Sequence, residues 1–290
     1  MLTLKQYIVH ADLKHSAIGH FNISNLEMLK AIFIVAQREQ APIIVGTTER
    51  EREFIGVRQC VALVNSLKEE FNYPIFLNAD HCYSLQSLKE AVDAGYDSVM
   101  FDGSKLSLGD NMRETKRCVE YARSVNPNIV VEGVLGYSGV SAGLLESLPP
   151  DIKITKEFLT KPEEAVQFVK ETGIDFLAPA VGNIHGVLKY APNPELDIDL
   201  IKDIRERVGI PLILHGGSGI SDSSFRRAIL VGISVIHINT ELRLAFRKGL
   251  DDALRINPGD IAPYSFMENP IYEMEKVVEE KLKIFTAHVE

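Results

Sequence analysis

The chain has 290 residues, is 46% hydrophobic and carries a formal net charge of −9. This length and apolar content suit one large α/β domain with a sizeable core. The negative charge, without a basic cluster, argues against a nucleic-acid partner, and no apolar window approaches the roughly eighteen residues that a membrane span needs.

In chain order, residues 1–14 lack the charged and then apolar pattern of a secretory signal. Three widely spaced cysteines form no CxxC pair, so we expect a reduced, cytoplasmic setting. Apolar runs of strand length then alternate with segments of helical spacing. The predicted strands are 17–22, 42–48, 74–81, 98–103, 128–136, 175–182, 210–219 and 234–240. The predicted helices are 26–39, 54–71, 84–94, 111–125, 161–172, 196–208, 222–231, 241–253 and 267–289.

Buried strands that alternate with helices are typical of a parallel sheet. Eight such units predict a single-domain (β/α)₈ TIM barrel over residues 1–290. An open, doubly wound sheet is the alternative, because periodicity cannot show closure. Residues 137–160 carry several glycines and prolines and are predicted to form an irregular, mobile loop, with Thr160 as the N-cap of the next helix.

Polar residues collect where the predicted strands end, and in a barrel these ends share the mouth that holds the active site. Strand 3 ends in Asp80 and His81, strand 4 ends in Asp102, and strand 5 carries Glu132. Strands 6, 7 and 8 run into Asn183-Ile184-His185-Gly186, His215-Gly216-Gly217-Ser218-Gly219 and His237-Ile238-Asn239-Thr240.

His81, His185 and His215 end three different predicted strands. Three imidazoles that converge on one mouth suit a catalytic zinc ion with an open coordination position. Any one of these histidines alone is more often a hydrogen-bonded structural residue. Their joint placement favours the metal site, provided that the barrel prediction is right.

The glycine-rich turn after strand 7 indicates an anion site. Gly216, Gly217 and Ser218 precede a helix, and backbone N–H groups at a helix start bind phosphate. Barrels often build their phosphate site from the loops after strands 7 and 8, where Asn239 and Thr240 also lie. Gly186 and Lys189 add a flexible glycine and a cation near the same mouth. The alternatives are a tight turn that needs glycine and a solvated surface lysine.

Together these residues resemble the class II, zinc-dependent ketose-bisphosphate aldolases, which include fructose- and tagatose-bisphosphate aldolases. The resemblance runs in order from about residue 17 to the last helix. It rests on Phe21-Asn22, Ala41-Pro42-Ile43-Ile44, Asp80-His81-Cys82, Phe101-Asp102-Gly103-Ser104, Thr160-Lys161-Pro162-Glu163-Glu164-Ala165, Asn183-Ile184-His185-Gly186-Val187, Leu214-His215-Gly216-Gly217-Ser218-Gly219 and Ile238-Asn239-Thr240-Glu241.

The resemblance implies a metal-dependent aldehyde-lyase of carbohydrate metabolism, such as glycolysis, that cleaves a ketose 1,6-bisphosphate to dihydroxyacetone phosphate and an aldehyde. The three histidines would hold Zn²⁺, which acts as a Lewis acid. Asp80 would be the general acid/base, with orientation of His81 as its alternative role. Gly186, Gly216, Gly217 and Ser218 would bind phosphate, supported by Asn239 and Thr240. Thr48 falls where relatives carry a serine near phosphate.

The chain departs from the family at two neighbouring places. Relatives commonly read Glu-x-Glu-Leu-Gly on strand 5, but here Val134 replaces the second glutamate, which the family ties to an alternative metal position. Asp102 and Glu132 are the remaining candidates for that position. Relatives then carry acidic residues in the mobile loop. Here 138–142 reads Ser-Gly-Val-Ser-Ala, so Ala142 ends a stretch without the loop acid that relatives use in proton transfer.

A third departure is His237, where relatives usually place asparagine on strand 8. His237 could donate a hydrogen bond to the substrate in place of that amide, could bind metal, or could mark a different substrate. Tagatose bisphosphate and a phosphorylated deoxy-keto acid therefore stay open as substrates.

Two other functions are open. A zinc- and phosphate-binding barrel without turnover, as a regulatory or carrier module, is favoured by the missing loop acids and disfavoured by Asp80. A metal-dependent hydrolase is disfavoured by the phosphate turn. The family's habit predicts a dimer or tetramer. The apolar positions of the C-terminal helix suit self-association, although such a stripe more often packs on its own barrel; they are Ile271, Met274, Val277, Val278 and Leu282.

Overall fold

The computed structural model describes residues 2–136, 139, 143–148 and 159–287. Eight parallel strands close into a barrel in the order β1-β8-β7-β6-β5-β4-β3-β2. This confirms the predicted (β/α)₈ architecture and excludes the open sheet. The strands are β1 Ile18–Asn22, β2 Ile43–Thr47, β3 Ile75–Cys82, β4 Ser98–Phe101, β5 Val130–Leu135, β6 Phe176–Pro179, β7 Leu212–Leu214 and β8 Ile233–Ile238.

Most of the helices connect strands and cover the outside of the barrel, because each of these has one apolar face that must be buried. Within the described residues none is both long and apolar enough to cross a membrane. The helices are Leu4–Leu13, Leu26–Glu39, Glu49–Ile55, Val57–Phe71, Leu85–Ala94, Leu108–Val125, Pro162–Thr172, Ile198–Val208, Asp222–Leu230, Thr240–Ile256, Pro263–Phe266 and Glu268–Thr286.

Two local predictions are corrected. The predicted helix 54–71 is two helices, because Gly56 has φ 101°, which favours glycine and ends the first helix. Thr160 is not an N-cap: its hydroxyl donates to the carbonyl of Leu135 at 2.6 Å, and Lys161 takes the cap position. The segment 1–14 holds an unpredicted helix, Leu4–Leu13, capped by Thr3.

The predicted irregular loop falls largely outside the described residues, and so do Ser138 and Ala142. Its described part includes Leu144–Leu145, which pairs in parallel with Val187–Leu188 as a two-stranded ribbon. The two strands of this ribbon follow β5 and β6 in the chain. The ribbon was not predicted, because two-residue strands carry no periodic signal.

The inside of the barrel changes character from one end to the other. Alternate residues of a strand face inward. Near the strand N-termini these are apolar, and the helix Leu4–Leu13 packs beneath them with Leu4, Ile8 and Ala11. On five of the strands the inward residue two positions further along is polar. The successive inward pairs are Ile18 and His20, Phe76 and Asn78, Val130 and Glu132, Ile213 and His215, and Val235 and His237.

Candidate active site and metal centre

A bulge at the end of β3 brings two consecutive residues to the same mouth. In a regular strand Asp80 and His81 would face opposite sides. Here the pairing with β4 shifts register between Ala79 and Cys82, and His81 adopts φ 51°. A bulge re-aims side chains in this way, and a left-handed non-glycine residue is a costly feature typical of functional sites.

His81, His185 and His215 come together as predicted from the sequence. Their ring centroids are 5.1 Å apart for His81 with either partner and 5.7 Å apart for His185 and His215. One ligand nitrogen from each lies within 4.8 Å of the others. Three convergent imidazoles are a donor set that fits zinc, so the residues present suit the metal that the resemblance implies.

Two buried carboxyl groups fix the orientation of two of these rings. Asp102 Oδ2 lies 2.7 Å from His81 Nδ1, and Glu132 Oε1 lies 2.7 Å from His215 Nε2. In each ring the other nitrogen is left to bind a metal, the arrangement that metal-ligating histidines usually show. Asp102 and Glu132 therefore hold the rings of His81 and His215 in place, and their direct ligation of a metal at a second position remains a prediction.

The charges of the metal-free cluster follow from burial and neighbours. Burial lowers the pKa of His185 to about 4 and holds that of His215 well below its ordinary value, with nearby imidazoles adding to both effects. Burial also opposes charge on His81, but Asp80 and Asp102 raise its pKa to about 9. Burial and the charge of Asp80 raise the pKa of Glu132. Before any metal binds, His185 and His215 are thus neutral and His81 is protonated, so a metal bound by these three rings would displace a proton from His81.

Asp80 stands beside the histidine cluster with one oxygen oriented by hydrogen bonding. Asn22 Nδ2 donates to Asp80 Oδ2 at 2.9 Å. Oδ1 faces His81 Nε2 at 3.8 Å and His237 Nδ1 at 3.5 Å. Burial would raise the pKa of Asp80, but His81 and His237 hold it well below its ordinary value. Since Asp102 orients His81, the alternative role that the sequence left open for Asp80 is already filled by another residue.

A cavity of about 830 Å³ opens onto Asp80 and the histidines, large enough for a small-molecule substrate. Most of the predicted substrate residues line it: Thr48, Gly186, Gly216, Ser218, His237, Asn239 and Thr240. Val134 lines a small neighbouring pocket beside Asp102.

Two predicted binding residues lie elsewhere. Lys189 is not among the cavity-lining residues; its ammonium group pairs with Glu146 at 3.1 Å, and its side chain is 41% exposed. This fits the surface-lysine alternative. The N–H of Gly217 donates to the carbonyl of His237 at 3.0 Å, and a Cβ there would lie 2.7 Å from the same oxygen. Gly217 therefore joins the turn to β8 rather than offering its amide to an anion.

The sequence reasoning missed three cations of the cavity wall, Arg50, Lys105 and Arg243. Each follows a barrel strand by three to five residues, so a search of the residues just beyond every strand end, whether in a loop or in the first turns of a helix, would have found them. Arg243 also pairs with the buried Glu51, which accepts hydrogen bonds from Asn22 and from the backbone of Thr48.

It also missed His20, a buried residue of β1 whose ring stacks on His237 with centroids 3.5 Å apart. The only signal was a polar residue inside an apolar strand.

The chain is similar to known aldolases over nearly its whole length. The family model for class-II fructose-bisphosphate aldolase matches residues 2–289. A 6-phospho-5-dehydro-2-deoxy-D-gluconate aldolase of Halalkalibacterium halodurans is 37% identical, over 98% of this chain and 96% of that protein. A fructose-bisphosphate aldolase of Geobacillus stearothermophilus is 36% identical, over 91% and 89%.

Solved structures are similar over nearly the whole barrel. The YdjI aldolase of Escherichia coli K12 has a TM-score of 0.80 at 28% identity and covers 99% of this chain and 98% of its own. A putative fructose-1,6-bisphosphate aldolase of Coccidioides immitis has a TM-score of 0.83 at 26% identity, with 98% and 96% covered. With the family model matched over the whole barrel, the chain belongs to the class-II fructose-bisphosphate aldolase family and is an aldehyde-lyase.

Proposed function

We propose that this chain is a zinc-dependent aldolase that cleaves, or forms by condensation, a phosphorylated ketose, giving dihydroxyacetone phosphate and an aldehyde. The observation that carries the proposal is the convergence of His81, His185 and His215 beside Asp80 at one cavity. Bound zinc supplies a Lewis acid that polarises the ketone of the substrate.

Asp80 moves the hydroxyl proton of the substrate. Its Oδ1 accepts that proton while the bond between the hydroxyl carbon and the carbon beside the ketone breaks, which releases the aldehyde. The electron pair of the broken bond stays on the three-carbon fragment as an enediolate, which takes up a proton from water to become dihydroxyacetone phosphate. In condensation the same oxygen returns the proton. Asn22 holds Oδ2 at 2.9 Å and so keeps Oδ1 turned towards the cavity.

The loops after β6, β7 and β8 hold the phosphate. Gly186 and Gly216 have φ 109° and 62°, and a Cβ on Gly216 would lie 2.1 Å from the carbonyl of Ile184, so the tight turn needs glycine. Ser218 Oγ accepts the N–H of Glu241 at 3.2 Å, which leaves its hydroxyl proton to donate. Thr240 begins the helix Thr240–Ile256, whose positive end favours an anion.

The cations Arg50, Lys105 and Arg243 favour a substrate with a second acidic group. Both activities named for the relatives act on such molecules, a sugar bisphosphate in one case and a phosphorylated sugar acid in the other. The chain as a whole carries a net charge of −9, so local cations are needed to attract a substrate with two acidic groups.

The test is cleavage by zinc-loaded protein on a panel of ketose 1-phosphates, fructose and tagatose 1,6-bisphosphates, and 6-phospho-5-dehydro-2-deoxygluconate, each with and without chelator. We expect turnover of at least one compound with two acidic groups, abolished by chelator and restored by zinc. Cleavage that resists the chelator would overturn the zinc mechanism. Failure of every compound would favour the binding module without turnover.

We also infer a cytoplasmic, self-associating protein that binds neither nucleic acid nor membrane. Cys60, Cys82 and Cys118 are buried and form no disulfide. In the C-terminal helix Met274, Val278 and Leu282 are buried against this chain's own barrel, so they do not form the association surface. Exposed apolar side chains near the preceding loop, Ile261 and Tyr264, are candidates instead. A monomer in light scattering at micromolar concentration would contradict the association.

A further inference from the structure

Strands β1 and β8 place two histidines side by side that the reaction outlined above does not use. His20 and His237 stand opposite each other in the register of these parallel strands. Their rings stack with planes only 4° apart and centroids separated by 3.5 Å. Both are almost fully buried. Burying two imidazoles removes their hydration, and this costs free energy. A pair of histidines kept in spite of that cost points to a role in function.

The surroundings hold the ring of His20 in one place. Gly46 of β2 makes room for it, because a Cβ at that position would lie 2.1 Å from His20 Cε1. The Nε2 atom of the same ring is 3.3 Å from Asn78 Oδ1, and Asn78 in turn donates to Ser98 at 2.7 Å. His20 is therefore a fixed platform on which the ring of His237 lies.

His237 connects this platform to the reacting groups. It lines the substrate cavity, and its ring also packs against His215 with centroids 3.9 Å apart. Its Nδ1 lies 3.5 Å from Asp80 Oδ1, the oxygen that Asn22 does not hold. Among the described residues, neither of these two atoms has a hydrogen-bond partner, and neither does Nδ1 of His20.

A second cation site is the alternative explanation, because His20, Asp80 and His237 each offer a ligand atom within 4.8 Å of the others. The stack argues against it. The lone pair of an imidazole nitrogen lies in the ring plane. Two nearly parallel planes about 3.5 Å apart cannot both direct a lone pair at one ion.

We propose that His237 contacts the substrate hydroxyl beside Asp80 and keeps Asp80 Oδ1 aligned with it, and that His20 is a positioning residue that acts through the stack. The inference rests on the proposed function, since it takes Asp80 as the group that exchanges the proton. A substrate hydroxyl that lies in the cavity beside Oδ1 and Nδ1 can hydrogen-bond to both atoms, which are too far apart for a good direct hydrogen bond with each other.

The test compares four variants as zinc-loaded protein. His20→Ala removes the platform, Gly46→Ala displaces it without changing either histidine, and His20→Phe keeps a flat ring for stacking. Gly109→Ala, where an added Cβ meets nothing within 4 Å, is the control. We expect kcat to fall on the order of 10- to 100-fold for the first two, as for a misplaced catalytic group, with KM and zinc content unchanged. His20→Phe should restore most of the rate.

A second readout does not depend on turnover. In ¹⁵N-histidine NMR of the zinc-loaded protein, with the His237 signals assigned from His237→Asn, we expect one fixed tautomer of His237 in the wild type and in His20→Phe, and a mixture in His20→Ala. Unchanged kcat and unchanged His237 signals in His20→Ala would overturn the inference. Two zinc ions per wild-type chain, falling to one in His20→Ala, would overturn it in favour of the cation site. If no ketose phosphate is cleaved, the proposed function fails, while the NMR spectra still decide whether His20 orients His237.

Discussion

The two ends of the barrel differ more than any other two regions of the molecule. The end that holds the strand N-termini is filled by apolar side chains and closed by the helix Leu4–Leu13. The opposite end buries Asp80, Asp102 and Glu132 among five histidines. Only two residues along a strand separate these environments, as Ile213 and His215 show.

The closed end of the barrel stabilises the fold, and the open end holds the reactive groups. Apolar burial at the closed end is favourable without any specific partner, at about 25 cal/mol per Å². Buried charges at the open end are costly unless each has a partner. Apolar packing at the closed end offsets the cost of the buried charges at the open end. Substitutions at the open end should therefore change turnover or zinc affinity, and substitutions at the closed end should change the free energy of unfolding.

The largest effect on turnover is expected at Asp80. Asp80→Asn keeps the shape and the contact with Asn22 but removes the group that takes the proton. We expect cleavage of the best ketose phosphate to slow by about 10²- to 10⁴-fold, the usual contribution of a general acid/base. Zinc content measured on the same sample should equal that of the wild type. A variant with the full rate would remove Asp80 from this role.

A smaller effect is expected where a carboxylate acts on the metal through a histidine. Asp102→Asn weakens the hydrogen bond that orients His81, so zinc affinity should fall about 10- to 100-fold in competition with a chelator. Excess zinc should restore most of the activity. Asp110→Asn, at an exposed carboxylate that pairs with Arg113, is the matched control. Activity that excess zinc cannot restore would show a more direct role for Asp102.

At the closed end a substitution should lower the stability of the fold and leave turnover unchanged. Ile8 is 1% exposed, and Ile8→Ala leaves a cavity beneath the barrel. We expect the free energy of unfolding, measured with urea, to fall by about 2–5 kcal/mol while kcat at 25 °C stays unchanged. Leu13→Ala on the same helix, at a side chain 74% exposed, should change it by less than about 0.5 kcal/mol. A proportional loss of kcat in Ile8→Ala would break the separation between the ends.

The smallest expected effect is on KM, in a comparison of two cations near the open end. Arg50 lines the cavity, and Lys189 pairs with Glu146 outside it. Arg50→Met should raise KM for a substrate with two acidic groups about tenfold, the loss of one charge-assisted hydrogen bond of roughly 1.5 kcal/mol. Lys189→Met should leave KM unchanged. The reverse pattern would return Lys189 to the binding site that the sequence suggested.

Several features could be predicted because a local pattern encodes them. Alternating strands and helices predicted the barrel, since both elements have a period that is visible in the sequence. Barrel geometry then placed His81, His185 and His215 at one mouth. Helix Leu4–Leu13 was missed, although Thr3 and Gln6 form a capping box there, because charged residues obscured its short apolar face.

Other features could not be predicted because they are contacts between side chains or backbone groups on different strands. Asp102 and Glu132 were candidate metal ligands in the sequence, and only the folded chain shows their contacts with His81 and His215. The glycine-rich turn predicts a phosphate contact for Gly217, but in the folded chain its amide donates to the carbonyl of His237. Glycine-rich turns look alike in sequence whether their N–H groups face a ligand or a neighbouring strand.

The alternation of eight strands with helices, the polar strand ends and the three histidines can be read from the chain alone, because hydrophobic periodicity and strand direction are local properties. Three features are visible only in the folded chain: which side chain orients which, that Asp80 Oδ1 has no hydrogen-bond partner among the described residues, and that His20 lies flat on His237. These depend on register between strands far apart in the chain, which is set by packing the whole barrel at once.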